Sequence, residues 1–164
     1  MELLLIALIL ATFLVSLVTG FLFAFAVVVM AGLKKLEDGE FIRAFQTMDS
    51  IIQNNQPIFV VVWLGSIVAL IAAAALGVGH LDATGRWLLI VSTVAYLVGV
   101  QLPTFTINVP LNNRLQSLDV LTMDDAERKA ARETFEGRWN LWNAVRTVVS
   151  CVVSLLLIGL VLRI

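Results

Sequence analysis

Long stretches without a charged residue constrain this chain more than any other feature of its sequence. Three of them lie at about residues 3–33, 57–79 and 87–110, and a fourth segment, at about 139–162, is uncharged from Thr147 onward. A helix rises about 1.5 Å per residue, so about 20 apolar residues cross the hydrocarbon core of a bilayer. The sequence therefore predicts four transmembrane helices.

The composition supports the same fold class. Of the 164 residues, 60% are hydrophobic and 14% are charged, whereas an average soluble domain is about a quarter charged. The charges are confined to short segments between the apolar stretches, because unpaired ions are costly in hydrocarbon. We predict an all-α fold in which residues 1–164 form a single membrane domain, a four-helix transmembrane bundle in contact with the lipid bilayer.

The first apolar stretch is expected to remain in the protein as a membrane helix. A secretory signal peptide has a positively charged start and a shorter apolar core. Here the start carries Glu2, and the apolar stretch continues to Leu33.

The basic residues predict the orientation of the bundle, since short loops rich in Lys and Arg stay in the cytoplasm. The connections after the first and third spans hold Lys34, Lys35, Arg43, Arg114, Arg128, Lys129, Arg132 and Arg138. The opposite side has only Arg86 and Arg163. We expect a multi-pass cell-membrane protein with both termini on the non-cytoplasmic side.

The connection between the first two spans is predicted to be a short interfacial amphipathic helix. Its apolar residues recur at helical spacing and are Phe41, Phe45, Met48 and Ile52. Polar residues, among them Asp49 and Gln53, are assigned elsewhere on the helical wheel. The favoured interpretation is a connector that rests on lipid headgroups, and the alternative is a lid over a functional site.

Polar side chains share one face of the third span. They are Gln101, Thr104 and Asn108, with Asn112 continuing the face if the helix persists beyond Pro110. Pro103 and Pro110 each remove a backbone donor and disturb the preceding turn. This end of the span is therefore expected to be irregular, with backbone carbonyls free to bind a ligand.

The fourth helix carries a matching polar arc, formed by Trp139, Trp142, Asn143, Arg146, Thr147, Ser150 and Ser154. In the predicted orientation both polar clusters lie at the cytoplasmic end. We expect them to line one pocket, closed from below by Gln53 and Asn54. The alternative is that the asparagines only hold the helices together through hydrogen bonds.

Arg146 is the most informative residue of this candidate pocket. Arginine at the edge of the hydrocarbon is costly unless it snorkels or meets an acceptor. No carboxylate is expected at its depth, so its predicted partners are amide oxygens, backbone carbonyls or an anionic ligand. The simpler alternative is a snorkelling anchor beside a tryptophan belt.

Other functional classes are disfavoured by the composition. A net charge of −1 gives no basic surface for nucleic acid, and one histidine and one cysteine are too few for a typical zinc site within one chain. We predict neither a metal nor a cofactor. Assembly into a homo-oligomer is left open.

Two segments resemble the anthrone-oxygenase-like family of small membrane proteins. They are Asn108-Val109-Pro110-Leu111-Asn112 and Trp139-Asn140-Leu141-Trp142-Asn143-Ala144-Val145-Arg146-Thr147. The similarity extends over nearly the whole chain, although Ala31 stands where many relatives are expected to have proline. Characterised fungal members of the family are linked to the oxidation of anthrones to anthraquinones.

The resemblance implies a pocket that binds or oxidises a planar apolar aromatic, such as an anthrone or a quinone, without a cofactor. On this hypothesis the catalytic residues are Arg146, Asn108 and Asn143. The ligand-binding residues are Trp139, Trp142, Asn112, Gln101, Thr104 and Thr147. The sequence suggests no general base, because His80 is predicted on the opposite side and no buried carboxylate is expected.

Two other functions remain open at this point. One is a non-catalytic membrane bundle that acts as a partner or assembly subunit. The other is a transporter, which four helices without an internal repeat could form only by oligomerising.

Overall fold

The structure, a computed structural model, describes residues 2–164, and within them all regular structure is helical. The four helices long and apolar enough to cross a membrane are α1 (Glu2–Leu33), α3 (Pro57–Gly77), α4 (Ala83–Gln116) and α5 (Asp125–Val161). A shorter helix, α2 (Asp38–Gln53), connects α1 to α3. The chain is therefore an integral membrane four-helix bundle with a short amphipathic helix between its first two spans.

Side chains at the helix starts explain where three of the helices begin. Gln56 caps α3 by accepting a hydrogen bond of 2.6 Å from the N–H of Phe59. Asp82 caps α4 in the same way, and Asp124 with Glu127 forms a reciprocal capping box at the start of α5. These interactions satisfy backbone N–H groups that have no partner inside the helix.

The apolar core is centred on α1, which packs against both α3 and α5. Its buried side chains repeat every three or four residues and are Leu4, Leu8, Ala11, Val15, Val18 and Leu22. They meet small and branched side chains of the neighbouring helices, such as Ala73 and Val153, in one continuous cluster. Close packing of this kind holds helices together in lipid, where no hydrophobic force acts between them.

Helix α4 is irregular where the prolines were expected to disturb it. It widens into two π-helical turns, Leu97–Gln101 and Thr104–Asn108. Pro103 and Pro110 follow these turns and lack the N–H that a regular helix would use. The helix nevertheless continues to Gln116, so Asn112 stays on it. The predicted irregularity is confirmed, and such turns are frequent at functional sites.

Helix α2 packs with its apolar face against α5 and the end of α4. Phe45 is buried, with its ring centroid 4.6 Å from that of Phe135 and 5.5 Å from that of Trp139. Arg132 of α5 donates hydrogen bonds to the Leu36 carbonyl at 2.8 Å and to Asp38 at 3.0 Å. The apolar face of α2 thus lies largely on protein, and the interpretation of α2 as a connector resting on lipid headgroups stays a prediction.

Helices α4 and α5 approach each other closely at Gly99. A Cβ atom at this position would lie 2.8 Å from Cγ1 of Val149, and the β-branched valine has little freedom to move away. The space between the two helices therefore depends on the absence of a side chain there.

Replacing Gly99 by leucine is expected to destabilise the bundle by about 1–3 kcal/mol, since it forces α4 away from α5. Thermal unfolding in detergent measures the change. The matched control is Gly20→Leu, because a Cβ at Gly20 of α1 meets nothing within 4 Å. Equal stability of the two variants would contradict the packing described here.

Candidate functional site

A cavity of about 210 Å³ lies at the end of the bundle where α2 packs. All five helices contribute to its wall, the cavity is partly open, and Phe105 in its lining is half-exposed. Its aromatic lining consists of Phe21, Phe25, Phe45, Phe59, Trp63, Phe105 and Trp139. The cavity is thus mainly apolar, with a few polar side chains placed in its wall.

The guanidinium of Arg146 belongs to that polar wall. The residue is 4% exposed and donates hydrogen bonds to Oγ1 of Thr104 at 2.9 Å and to Oδ1 of Asn143 at 3.0 Å. Its carbon Cζ lies 5.9 Å from the centroid of the Trp139 ring. The cation is therefore held by neutral acceptors and an aromatic face, and no carboxylate of residues 2–164 forms an ion pair with it.

Asn143 fixes Arg146 because it is itself fixed to α1. Its Nδ2 donates to the Leu22 carbonyl at 3.2 Å, and its Oδ1 is left to accept from the arginine. Asn108 is oriented by a hydrogen bond of 3.3 Å from its Nδ2 to the Trp139 carbonyl. The two buried amides therefore connect three helices around the cavity.

Two buried polar atoms of the wall have no hydrogen-bond partner among residues 2–164: Nε of Arg146 and Oδ1 of Asn108. Unpaired buried groups are uncommon in native proteins. One is a donor and the other an acceptor, and both atoms are themselves buried. Within the same described residues, no cluster of three His, Cys, Asp or Glu side chains is arranged to hold a metal ion.

Asp49 is buried in the same wall. It is 4% exposed, and its Oδ1 and Oδ2 accept hydrogen bonds from Nδ2 of Asn112 at 2.8 Å and from Nε2 of Gln53 at 2.6 Å. Among the described residues, no Lys, Arg or His nitrogen lies within 4.0 Å of it. The expectation that no buried carboxylate lies near the pocket was wrong.

The position of Asp49 follows from spacing that the sequence already contained. Residue 49 comes four positions after Phe45 and eight after Phe41, so all three lie close together on the helical wheel. The prediction that Asp49 lies elsewhere on the wheel than the apolar residues considers only those residues, and it is wrong for Asp49, which is buried. Only the packing of this face on α5 and α4 makes the carboxylate part of the cavity.

A chain of contacts joins Asp49 to Arg146 without an ion pair. Asn112 donates to Asp49, and its Oδ1 accepts a hydrogen bond of 2.7 Å from Nε1 of Trp139. The ring of Trp139 in turn lies beneath the guanidinium of Arg146. The anion and the cation thus line one cavity while remaining separate.

The structure brings six of the nine predicted site residues to the cavity wall, namely Arg146, Asn108, Asn143, Trp139, Asn112 and Thr104. The other three lie outside it. Gln101 accepts a hydrogen bond of 2.9 Å from Nε1 of Trp63, Thr147 donates to the Asn143 carbonyl at 2.7 Å, and Trp142 is half-buried. The catalytic and binding roles assigned to all nine residues stay predictions.

The two residues expected to close the pocket, Gln53 and Asn54, are both exposed and outside the lining, although Gln53 contacts Asp49. The aromatic residues that α1 and α3 contribute, such as Phe21 and Phe59, were not predicted. They stand in uniformly apolar spans, where the sequence does not distinguish a cavity wall from a lipid-facing surface.

Comparison with known families identifies the chain. Residues 51–156 match the family model described as anthrone oxygenase. The chain belongs to the anthrone oxygenase family. The match includes the cavity residues of α3, α4 and α5, and it begins just after Asp49. A search of curated proteins and a search of solved structures found no match.

Replacement of two different arginines of α5 is expected to have different effects on the stability of the protein. Arg146→Met is expected to leave the melting temperature in detergent unchanged or to raise it, because it removes a buried cation that has no anionic partner. Arg132→Met is expected to lower it, since Arg132 bonds to Asp38 and Glu136. A clear loss of stability in Arg146→Met would contradict this prediction and show that Arg146 stabilises the fold.

Proposed function

We propose that this cavity binds a planar aromatic molecule carrying a carbonyl oxygen, and that the protein oxidises an anthrone-like substrate with molecular oxygen. The observation that carries the proposal is the buried Arg146 cation, which has an unpaired Nε and lies in the wall of an aromatic cavity. Membership of the anthrone oxygenase family supports the same chemistry.

The walls of the cavity suit a flat, apolar ligand. The rings of Phe59 and Trp63 stack with centroids 5.3 Å apart, and Phe21 meets Phe59 edge to face at the same separation. Aromatic faces attract other aromatic rings in offset or edge-on arrangements. The cavity of about 210 Å³ is larger than the cavity of about 150 Å³ that admits benzene in a protein core, and its open side gives further room.

The polar groups suit an oxygen that gains negative charge. A ligand carbonyl can accept a hydrogen bond from the guanidinium of Arg146, and the side-chain amide of Asn108 can bond to a neighbouring hydroxyl. When the substrate loses a proton, its carbonyl oxygen becomes an enolate oxygen, which a preorganised cation stabilises more strongly than it stabilises the neutral ketone. Thr104 and Asn143 hold the guanidinium in place for this purpose.

The reaction balances with oxygen as the only oxidant. Loss of a proton from the methylene carbon gives an electron-rich enolate, which passes one electron to O₂. The two radicals join through a new C–O bond, and protonation gives a hydroperoxide. Loss of the remaining proton from that carbon, with cleavage of the O–O bond, forms the second carbonyl. One anthrone and one O₂ thus give one anthraquinone and one water, with the electrons supplied by the substrate.

A non-catalytic bundle acting as a partner or assembly subunit is the alternative. The observation in its favour is that Asn108 and Asn143 each donate to a backbone carbonyl of a neighbouring helix. Amides in such positions can have a purely structural role, which is to hold helices together. On this alternative, replacement of Arg146 lowers stability or assembly and changes no reaction.

We also propose that the protein lies in the cell membrane with the cavity end facing the cytoplasm. The basic connections after α1 and α4 lie at this end, and Lys and Arg are retained on the cytoplasmic side. A substrate made in the cytoplasm, or dissolved in the inner leaflet, would then reach the open side of the cavity.

Oxygen consumption by the purified protein with an anthrone tests this function. Wild type is expected to exceed the autoxidation background, and Arg146→Met is expected to lower kcat by about 10²–10³-fold through loss of the enolate's hydrogen bond. Arg138→Met is the matched control, because Arg138 lies on the same helix and is exposed. No oxygen consumption by intact wild type would exclude anthrones as substrates.

A further inference from the structure

We propose that Asp49 is the general base of this reaction and that it removes the proton from a carbon lying across the substrate ring from the carbonyl held by Arg146. The inference rests on the proposed function and deepens it in two ways. It names the group that accepts the proton, and it restricts the substrates to ketones whose acidic C–H lies opposite the carbonyl.

The carboxylate of Asp49 is available to accept a proton. Asp49 is buried in the cavity wall, and the partners recorded for it are the side-chain amides of Gln53 and Asn112. A structural carboxylate at such a place is usually paired with a cation, because burying an unpaired anion is costly. Asp49 has no such pair and therefore keeps its capacity to accept a proton from a ligand.

The charges of Arg146 and Asp49 are separated within the cavity. Arg146 is bonded to Thr104 and Asp49 to Asn112. These two residues of α4 are eight positions apart, which corresponds to about 12 Å along a helix. Contact between the charges would neutralise both, yet they share one cavity and remain apart.

A ligand of the proposed class fits between these two groups. In an anthrone the carbonyl and the acidic methylene occupy opposite positions of the central ring. A ring with a hydrogen bond at one end and a proton acceptor at the other spans on the order of 10 Å. The carbonyl would then face Arg146 while the methylene faces Asp49, with Trp139 beside the ring.

The electrostatic setting favours the same role. Burial raises the pKa of the Asp49 carboxyl above its ordinary value, while the hydrogen bonds from Gln53 and Asn112 act in the opposite direction. A carboxylate with a raised pKa is a stronger base. Asp49 and Arg146 are the ionisable side chains of the cavity lining, so no other lining group competes for the proton.

The test separates proton removal from oxidation. Anthrone is incubated with the protein in D₂O without oxygen, and deuterium incorporation at its methylene carbon is followed, with the buffer-catalysed rate subtracted. Wild type is expected to accelerate the exchange, and Asp49→Asn to lower that acceleration by at least about 10²-fold. The wild-type rate should fall at low pH, where Asp49 is protonated, and Asp49→Asn should lack this dependence.

Two controls keep the result specific. Glu40→Gln exchanges a carboxylate for an amide on the exposed side of the same helix and should behave as wild type. Quenching of the tryptophan fluorescence by anthraquinone shows whether Asp49→Asn still binds a ligand. If it does not, Asp49→Ala is tested with added acetate, which should restore exchange if a carboxylate is what the cavity lacks.

The outcomes distinguish the two proposals. The assignment of the base is overturned if Asp49→Asn exchanges deuterium as fast as wild type. Where Asp49→Asn does not bind, it is overturned if acetate fails to rescue Asp49→Ala. In either case, oxygen consumption by wild type still supports the proposed function. If wild type accelerates neither deuterium exchange nor oxygen consumption, the proposed function is overturned, and so is the assignment of Asp49 as its base.

Discussion

The central physical constraint in this protein is a buried arginine that has no anionic partner in the part of the chain that the structure describes. Within an apolar bundle, Arg146 has its charge offset only by Thr104, Asn143 and the face of Trp139. Asn143 is fixed in turn by the Leu22 carbonyl of α1. An interaction set of this kind stabilises a folded membrane protein poorly. The arrangement is explained if the guanidinium stabilises negative charge that develops on a bound molecule.

The short helix α2 gives the cavity a second kind of group. The transmembrane helices provide the cation, the amides and most of the aromatic wall, whereas the carboxylate of Asp49 comes from α2. The position of that helix depends on the contact of Phe45 with Trp139 and on the hydrogen bonds of Arg132. A segment that first suggests a simple connector is thus the element on which the proposed proton transfer depends.

Much of this arrangement could be predicted from the sequence, because membrane spans are defined by composition and polar residues on them are few. The helical spacing of Asn108 and Asn112 on α4, and of Trp139, Asn143 and Arg146 on α5, was sufficient to bring them to one cavity. Trp142 and Thr147 share the same arc but lie outside the wall, since an arc of the helical wheel is wider than the cavity.

The features of the site that the sequence could not predict depend on contacts between distant segments of the chain. Gln101 faces the predicted direction, yet it accepts a hydrogen bond from Trp63 and lies outside the wall. Asp49 reaches the cavity only because α2 packs on α5, and no local signal distinguishes a carboxylate covered by protein from one in water. Phe21 and Phe59 likewise differ from lipid-facing residues only by the bundle's packing.

Photolabelling with anthraquinone tests the central claim most directly, because the excited quinone abstracts hydrogen from neighbouring C–H bonds and becomes attached where it binds. If the cavity holds a planar aromatic between Asp49 and Arg146, mass spectrometry should locate the label on Met48 and Ile52 of α2, and excess anthrone should prevent the labelling. Label confined to outward-facing residues such as Val68 and Leu155, and unaffected by anthrone, would contradict the account.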